Sequence, residues 1–460
     1  MSVAGTLTFC RRFCWLGLIG SAILWICYVA QHVRDLQREE WNPHRNVFAA
    51  DHLAFYTGAR LTRFGPEDKL YDYVFVSRYQ NEMFEKARNK DETDVWIWLE
   101  AFRNPPFYAM LYWPTCGWTY LYSSYFWFAL SIGFTALGTR WLTDDGRFWR
   151  RFAWVFSFFP TFAAFQYGQN TPISFMLFAA VFLLLKKDKP LLAGMVAGLL
   201  LFKPQLLLGL GIWALLSFRR LWHCALGVAI TGTILFSVSA RMLPDAWVGF
   251  LDSFNHNLKF DSFDQYKMHN PIAAARLLFP ADKIASALVG EKPKGAAEDD
   301  PNEPYNRAER WVRRLHNVFA VMCAMAAIGV FAKLWWHRHD DVAIMFGGAV
   351  FLTLWANPHT LIYEWMLLAV TGLLWVKEWR TNPNAWFVLF AAAWGVLYFS
   401  TELNAKLLDY IPVTVQWSVP ALALVGWYGV KLLTKPQTPL AAIDQTPPLP
   451  DNEHSAIRSF

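Results

Sequence analysis

What most constrains this chain is a recurrence of apolar runs of about 15 to 22 residues, each long enough to cross roughly 30 Å of hydrocarbon as a helix. Such runs leave little choice of secondary structure, because backbone N–H and C=O groups in lipid must find partners within their own segment or a closed barrel. The spacing predicts helices at about 13–31, 117–140, 151–167, 171–185, 190–202, 205–218, 221–240, 314–336, 342–357, 360–376, 384–400 and 412–432. The 25 Trp residues agree with this, since Trp anchors helices at the headgroup level. The expected fold class is an all-α polytopic membrane protein with a bundle of about twelve transmembrane helices.

Basic residues in short loops set the orientation. With the N-terminus in the cytosol, the loops Arg140–Arg151, Lys186–Lys189, Arg219–Arg220, Lys333–His339 and Lys377–Arg380 all fall inside, as does the tail carrying Lys431 and Lys435. The short connections on the other side, at Gln169–Asn170, Lys203–Pro204 and Asn357–Pro358, hold one basic residue among them. Arg11–Arg12 followed by Phe13–Ala30 reads as an uncleaved signal anchor. These features predict a multi-pass protein of the cell inner (plasma) membrane with both termini cytoplasmic. Two long loops lie outside, at about 32–104 and 241–313. In the first, Asp51–Phe64 and Tyr71–Ala87 are amphipathic and are expected to lie on the membrane surface. Pro105–Pro114 is expected to lie at the outer surface and not to cross. In the second, the charged tip Glu291–Arg307 is expected to be mobile. The Pro-rich segment 434–460 is expected to be a disordered cytoplasmic tail, leaving 1–433 as the membrane domain.

Several function classes find no support. The net charge of +6 is spread over loops and makes no nucleic-acid footprint. The six cysteines lie in or beside apolar runs without C-x-x-C spacing or partnering histidines, which argues against a disulfide framework or zinc site. No Walker sequence, HExxH, GxSxG or glycine-rich dinucleotide loop is present. No metal cluster stands out, and no cofactor is implied.

Four clusters remain as candidate chemistry, and the topology puts all of them on the non-cytoplasmic face. Lys203, in Phe202–Lys203–Pro204, falls at a break only 13 residues beyond Pro190, about 20 Å along a helix and therefore below the membrane surface. A lysine at that depth costs roughly 2.5–3.5 kcal/mol unless paired or solvated. A phosphate would relieve the cost, as would snorkelling to the interface. Asp51 opens an amphipathic stretch, where it is either a general base for a hydroxyl or an ordinary helix N-cap. Gln169 and Asn170 sit at a helix junction, either as sugar-hydroxyl partners or as a polar turn with Asn170 as cap. His359, Tyr363 and Glu364 form the last cluster, with Glu364 about a turn inside the membrane and in need of a partner, a proton or water.

Taken in order, these pieces resemble the glycosyltransferase 87 family, which includes bacterial polyprenol-phosphate-mannose-dependent mannosyltransferases. The matching pieces are Asp51–Leu61, Lys69–Asp72, Asn104–Pro105–Pro106 with Pro114, Tyr167–Asn170, Ala193–Gly194 running to Lys203–Pro204, and Asn357–His359 with Tyr363–Glu364. The resemblance covers about residues 10–430. It implies a GT-C fold and an inverting, metal-independent transfer of a hexose, mannose in the family's named members, from a polyprenyl-phosphate-linked sugar donor to a lipid or glycan acceptor. It implies Asp51 as the base, Lys203 steadying the leaving phosphate, His359 positioning the donor, and Gln169, Asn170, Tyr363 and Glu364 as further donor contacts. The chain departs from the family where Asn104 replaces a frequent Tyr and Glu364 a frequent Asp. The competing expectation is a transporter or flippase, which the broken helix pair at Lys203 would suit. The absence of two related halves counts against it.

Overall fold

The computed structural model describes residues 3–37, 49–84, 100–143, 146–256, 265–292, 303–380, 382–411 and 413–435. The helices in chain order are α1 (Val3–Gln37), α2 (His52–Phe64), α3 (Tyr73–Phe84), α4 (Pro106–Met110), α5 (Tyr120–Leu142), α6 (Phe148–Ser157), α7 (Phe159–Gln166), α8 (Thr171–Lys186), α9 (Pro190–Gly198) and α10 (Leu208–Leu216). They continue with α11 (Phe218–Met242), α12 (Pro244–His256), α13 (Pro271–Leu278), α14 (Ala281–Val289), α15 (Pro304–Arg338), α16 (Val342–Ala356), α17 (Leu368–Trp375), α18 (Pro383–Leu408) and α19 (Ser418–Leu433). No strand is present among the described residues, only an isolated bridge between Met268 and Leu361. A helix stands at every position expected from the apolar runs.

Four of these helices are long and apolar enough to cross a membrane, namely Trp15–Arg34 of α1, α11, α15 and α18. Their apolar side chains are mostly left outside the protein core: only 6% of the α1 window and 11% of the α15 window are buried. Exposed apolar surface on this scale belongs against lipid, not water. The shorter apolar helices α8, α9 with its 3₁₀ extension, α10, α16 and α19 supply the interior. There, backbones approach closely. A side chain added at Gly194 of α9 would come within 1.9 Å of the Cys224 carbonyl of α11, and one at Gly227 within 2.3 Å of the Leu191 carbonyl. Such small-residue contacts drive helix association where apolar burial gives no net gain.

Three expectations change. The run 151–167 is two helices, because Pro160 starts α7 after an extended Phe158. The Glu291–Arg307 tip is shorter than expected: α15 begins at Pro304, capped by the Glu303 side chain on the Asn306 N–H. Residues 293–302 of that tip, residues 85–87 of the second amphipathic stretch and residues 436–460 of the tail lie outside the described residues. Finally, α2 is not a surface-lying helix. Residues on all its sides are buried, including His52, Thr57 and Thr62, and it packs against α4 and α5. Its amphipathic pattern faces protein instead of lipid. Pro105–Pro114 forms α4, about 7.5 Å long, followed by turns, so it makes no span.

Candidate active site

The site starts from a helix ending. α7 stops in a Schellman motif: Gln169 N–H donates to the Ala164 carbonyl (2.8 Å) and Gly168 N–H to the Phe165 carbonyl (3.0 Å). Gly168 takes the left-handed conformation, φ +67°, that the motif demands. Its missing side chain also makes room, because a Cβ there would lie 2.7 Å from the Cβ of Ala49. Into that space come residues 49–52. Ala49 N–H donates to the Gln166 carbonyl (3.0 Å) and Asp51 N–H to the Tyr167 carbonyl (2.9 Å). The segment leading into α2 is thereby bolted to the α7–α8 junction.

That bolt decides what Asp51 does. It occupies the N-cap position of α2 yet makes no side-chain capping bond. Its carboxylate accepts from the Gln169 amide instead. Desolvation by the surrounding protein pushes the Asp51 carboxyl above the usual carboxylate range, opposed by the Gln169 bond and by the charges of Lys203 and Lys267. Next door, His52 is a buried, neutral histidine whose Nε2 lies 3.2 Å from Ser123 Oγ; burial lowers its pKa to about 3.

Asn170 also declines its capping role. It is buried, and although neither of its amide atoms makes a hydrogen bond of normal geometry among the described residues, the Tyr108 hydroxyl lies close enough to interact with it.

The break at Lys203 follows from Pro204, which forces the preceding residue out of the helical region; Lys203 has φ −135° and ψ 76°. The break is stitched by 3₁₀ turns at Leu199–Phe202 and Pro204–Leu207. Phe202 stacks on Tyr108 at 4.2 Å, which fixes the break against α4. The Lys203 ammonium does not snorkel. It donates to Glu364 Oε1 at 3.1 Å, with both side chains largely buried, and lies over the Tyr363 ring at 5.5 Å. The second Glu364 oxygen accepts from the Leu361 N–H at 3.2 Å, at the start of the 3₁₀ turn Ile362–Leu367. Both oxygens of Glu364 are therefore engaged. Tyr363 reaches back to Tyr167, ring to ring at 6.3 Å, and feels the charges of Asp51 and Glu364.

Asp51, Gln169, Lys203, Tyr363 and Glu364 thus converge on one place. His359 is exposed on its turn, with its backbone N–H on Asn357 Oδ1. Sequence reasoning missed Lys267, Glu100 and Arg103. Lys267 arrives on the segment before α13, whose residues 265–270 are tied to the turn at Pro358–Thr360 and to Gln416. Gln416 Nε2 donates to the Met268 carbonyl (2.5 Å), His269 N–H to the Thr360 carbonyl (2.8 Å), and Asn270 Nδ2 to the Pro358 carbonyl (2.8 Å). Lys267 then acts electrostatically on Asp51 and Tyr167. The only signal for it was the Asn270–Pro271 helix start just beyond. Among the described residues, no group of three or more His, Cys, Asp or Glu side chains is placed to hold a metal ion.

The arrangement offers a desolvated carboxylate beside a cation paired within protein and a buried amide, a layout suited to taking a proton from a hydroxyl next to an anionic group. No curated protein and no solved structure matches the chain. The model of glycosyltransferase family 87 matches residues 102–358, which include the Asn104–Pro106 segment, the Tyr167–Asn170 turn and the Lys203 break. With more than half of its length matched, the chain belongs to glycosyltransferase family 87.

Proposed function

We propose that this membrane glycosyltransferase transfers a hexose, mannose in the first instance, from a polyprenyl phosphate carrier to a lipid or glycan acceptor on the non-cytoplasmic face of the cell membrane. Both termini and the basic loops lie in the cytosol, and the bundle crosses about twelve times. Asp51 takes the proton of the acceptor hydroxyl as that oxygen attacks the sugar's anomeric carbon from the face opposite the phosphate. The bond to the phosphate oxygen breaks with inversion, and its electron pair leaves with the polyprenyl phosphate. Lys203, held by Glu364 over Tyr363, steadies that charge, with Lys267 as a second cation nearby. His359, exposed at the rim, positions the donor, while Gln169 and Asn170 meet sugar or acceptor hydroxyls.

The observation that carries this reading is the Gln169–Asp51 bond. It holds Asp51, which lies outside the segment matched to the family, against a turn inside that segment, and so supports the reading of Asp51 as base. The test is a transfer assay on purified, detergent-solubilised protein, with a panel of radiolabelled polyprenyl-phosphate hexoses and a membrane lipid extract. Label moving into a new lipid or glycan product supports transfer and names the sugar. Binding or translocation of the donor across vesicles with no new product would support a flippase instead.

A further inference from the structure

α15 has two unlike sides. Tyr305, Val312 and His316, spaced by seven and four residues, fall on one side and are buried. There the Tyr305 hydroxyl donates to the Asp282 carbonyl of α14 (3.2 Å), and His316 Nε2 donates to the Phe279 carbonyl between α13 and α14 (2.9 Å). These two bonds pin the α13–α14 pair along the first part of α15 and so fix which way its opposite side faces. On that opposite side the helical spacing brings together Arg307, Arg310, Trp311 and Arg314. The same line continues through Val318, Val321, Met322 and Met325. Trp311 and these four apolar residues are each between 55% and 66% exposed, so no other described part of the chain covers them. Arg313 lies off the stripe and is paired with Glu309 at 2.7 Å.

Charge and apolarity are stacked along this stripe and not mixed. Arg307 and Arg310 are neighbours at i, i+3, and Arg310 and Arg314 at i, i+4; like charges at these spacings disfavour the helix unless an anion lies between them. α15 has no acidic residue after Glu309 to supply one. From Arg314 to Met325 the helix rises about 16 Å, about half of a hydrocarbon core of roughly 30 Å and so the depth of one leaflet. After the turn at His339–Asp341, α16 runs back along α15 and ends beside the turn that leads to Tyr363 and Glu364. The arginine end of α15 is therefore on the same side of the membrane as the candidate site. We propose that the stripe binds an anionic phospholipid of that leaflet: the phosphodiester bridges Arg310 and Arg314, with Arg307 beyond them, and one acyl chain lies along Val318, Val321, Met322 and Met325. The guanidinium fork matches phosphate oxygens two at a time, basic clusters beside a span draw anionic lipid, and Trp311 sits at the headgroup level that Trp prefers. A soluble anion would use the arginines and leave the apolar line empty, and a second copy of the chain would bring like charges face to face. The lipid site is separate from the sugar-transfer reading and does not depend on it.

The test is native mass spectrometry of the purified full chain, released from detergent micelles that hold equal amounts of phosphatidylglycerol and phosphatidylcholine. Wild type is expected to retain phosphatidylglycerol over phosphatidylcholine by about fivefold or more. R310Q/R314Q, checked for folding by its melting temperature, is expected to lower that ratio by about threefold or more, while R313Q keeps the wild-type ratio. Glycerophosphoglycerol, the headgroup without chains, should leave the bound lipid in place at equal concentration. R307Q/R314Q carries the test should R310Q/R314Q fail to fold. Equal retention of the two lipids by wild type, an unchanged ratio in R310Q/R314Q, a fall in R313Q as large as in R310Q/R314Q, or displacement by the chainless headgroup overturns the proposal. A wild-type dimer that R310Q/R314Q returns to monomer overturns it in favour of a second copy.

Discussion

Helices α2 and α15 show how differently this chain uses a helix. α15 has 35 residues and buries few of them, chiefly Tyr305, Asn306, Val312, His316, Phe331 and Leu334. α2 has 13 residues and buries ten, among them His52, Thr57 and Thr62. The long apolar helix is finished by lipid, and the short mixed one by protein. In a membrane protein, then, burial within the fold and not hydropathy marks the elements that build a site. Polar groups packed into protein at this density must be matched by partners, and matching them fixes positions. Thr57 meets Gln80, and His52 meets Ser123. The beginning of α2 consequently holds Asp51 where a lipid-bathed helix would leave it free to slide.

This contrast breaks most sharply at the Lys203–Glu364 pair. E364Q leaves a largely buried lysine without its counter-charge and is expected to cost about 3–5 kcal/mol, read as a fall in melting temperature in detergent. K203M costs a similar amount and also slows transfer. The double variant K203M/E364Q should recover most of the stability but not the activity, because removing both charges also removes their desolvation cost. If the double variant melts as low as either single one, the pair is not what holds the break.

Gly168 sharpens the comparison next. G168A asks an alanine to hold a left-handed conformation, at about 1–2 kcal/mol, and pushes a methyl into Ala49. The expected loss of activity exceeds the loss of stability, since the displaced residues carry Asp51. An unchanged transfer rate in a folded G168A protein would separate the turn from the site.

The pH dependence runs in two directions at once. Because the folded chain raises the Asp51 pKa, it binds that proton more tightly than the unfolded chain. The contribution to stability is present below the unfolded carboxylate value and is lost as pH rises through the raised one. Activity needs the ionised base, so it rises over the same window. Melting and transfer measured from pH 4 to 8 should therefore diverge; parallel curves would remove the desolvated base.

At the small end lies α15. Met322 and Val321 are exposed toward lipid, and M322L or V321L should change stability by less than about 0.5 kcal/mol and leave transfer alone. A large effect there would mean that this face meets protein.

Much of this was legible in the sequence because lipid imposes few solutions. Apolar length places the helices, and Pro204 announces the break at Lys203. What sequence periodicity cannot convey is pairing across distance. Lys203 and Glu364 are separated by 161 residues, and each reads alone as a charge in want of a partner. Amphipathicity likewise says that α2 has two faces but not what covers them, so lipid and protein are indistinguishable until the chain is folded. Glu100 and Lys267 carry no local pattern at all, since both are delivered by loops whose backbone bonds to distant groups, the Gln80 side chain for one, the Thr360 carbonyl and the Gln416 side chain for the other. Gly168 was visible as a turn residue; that its bare Cα admits Ala49 was not.

The measurement that reaches the centre of the account is single-turnover transfer from the preferred polyprenyl-phosphate hexose by wild type and D51N, with donor binding measured alongside. Asparagine preserves the shape and can still meet Gln169, but it cannot take a proton. The account predicts donor binding within a few-fold of wild type and a transfer rate lower by about 10²–10⁴. A folded D51N protein that binds donor and transfers sugar at the wild-type rate would contradict it.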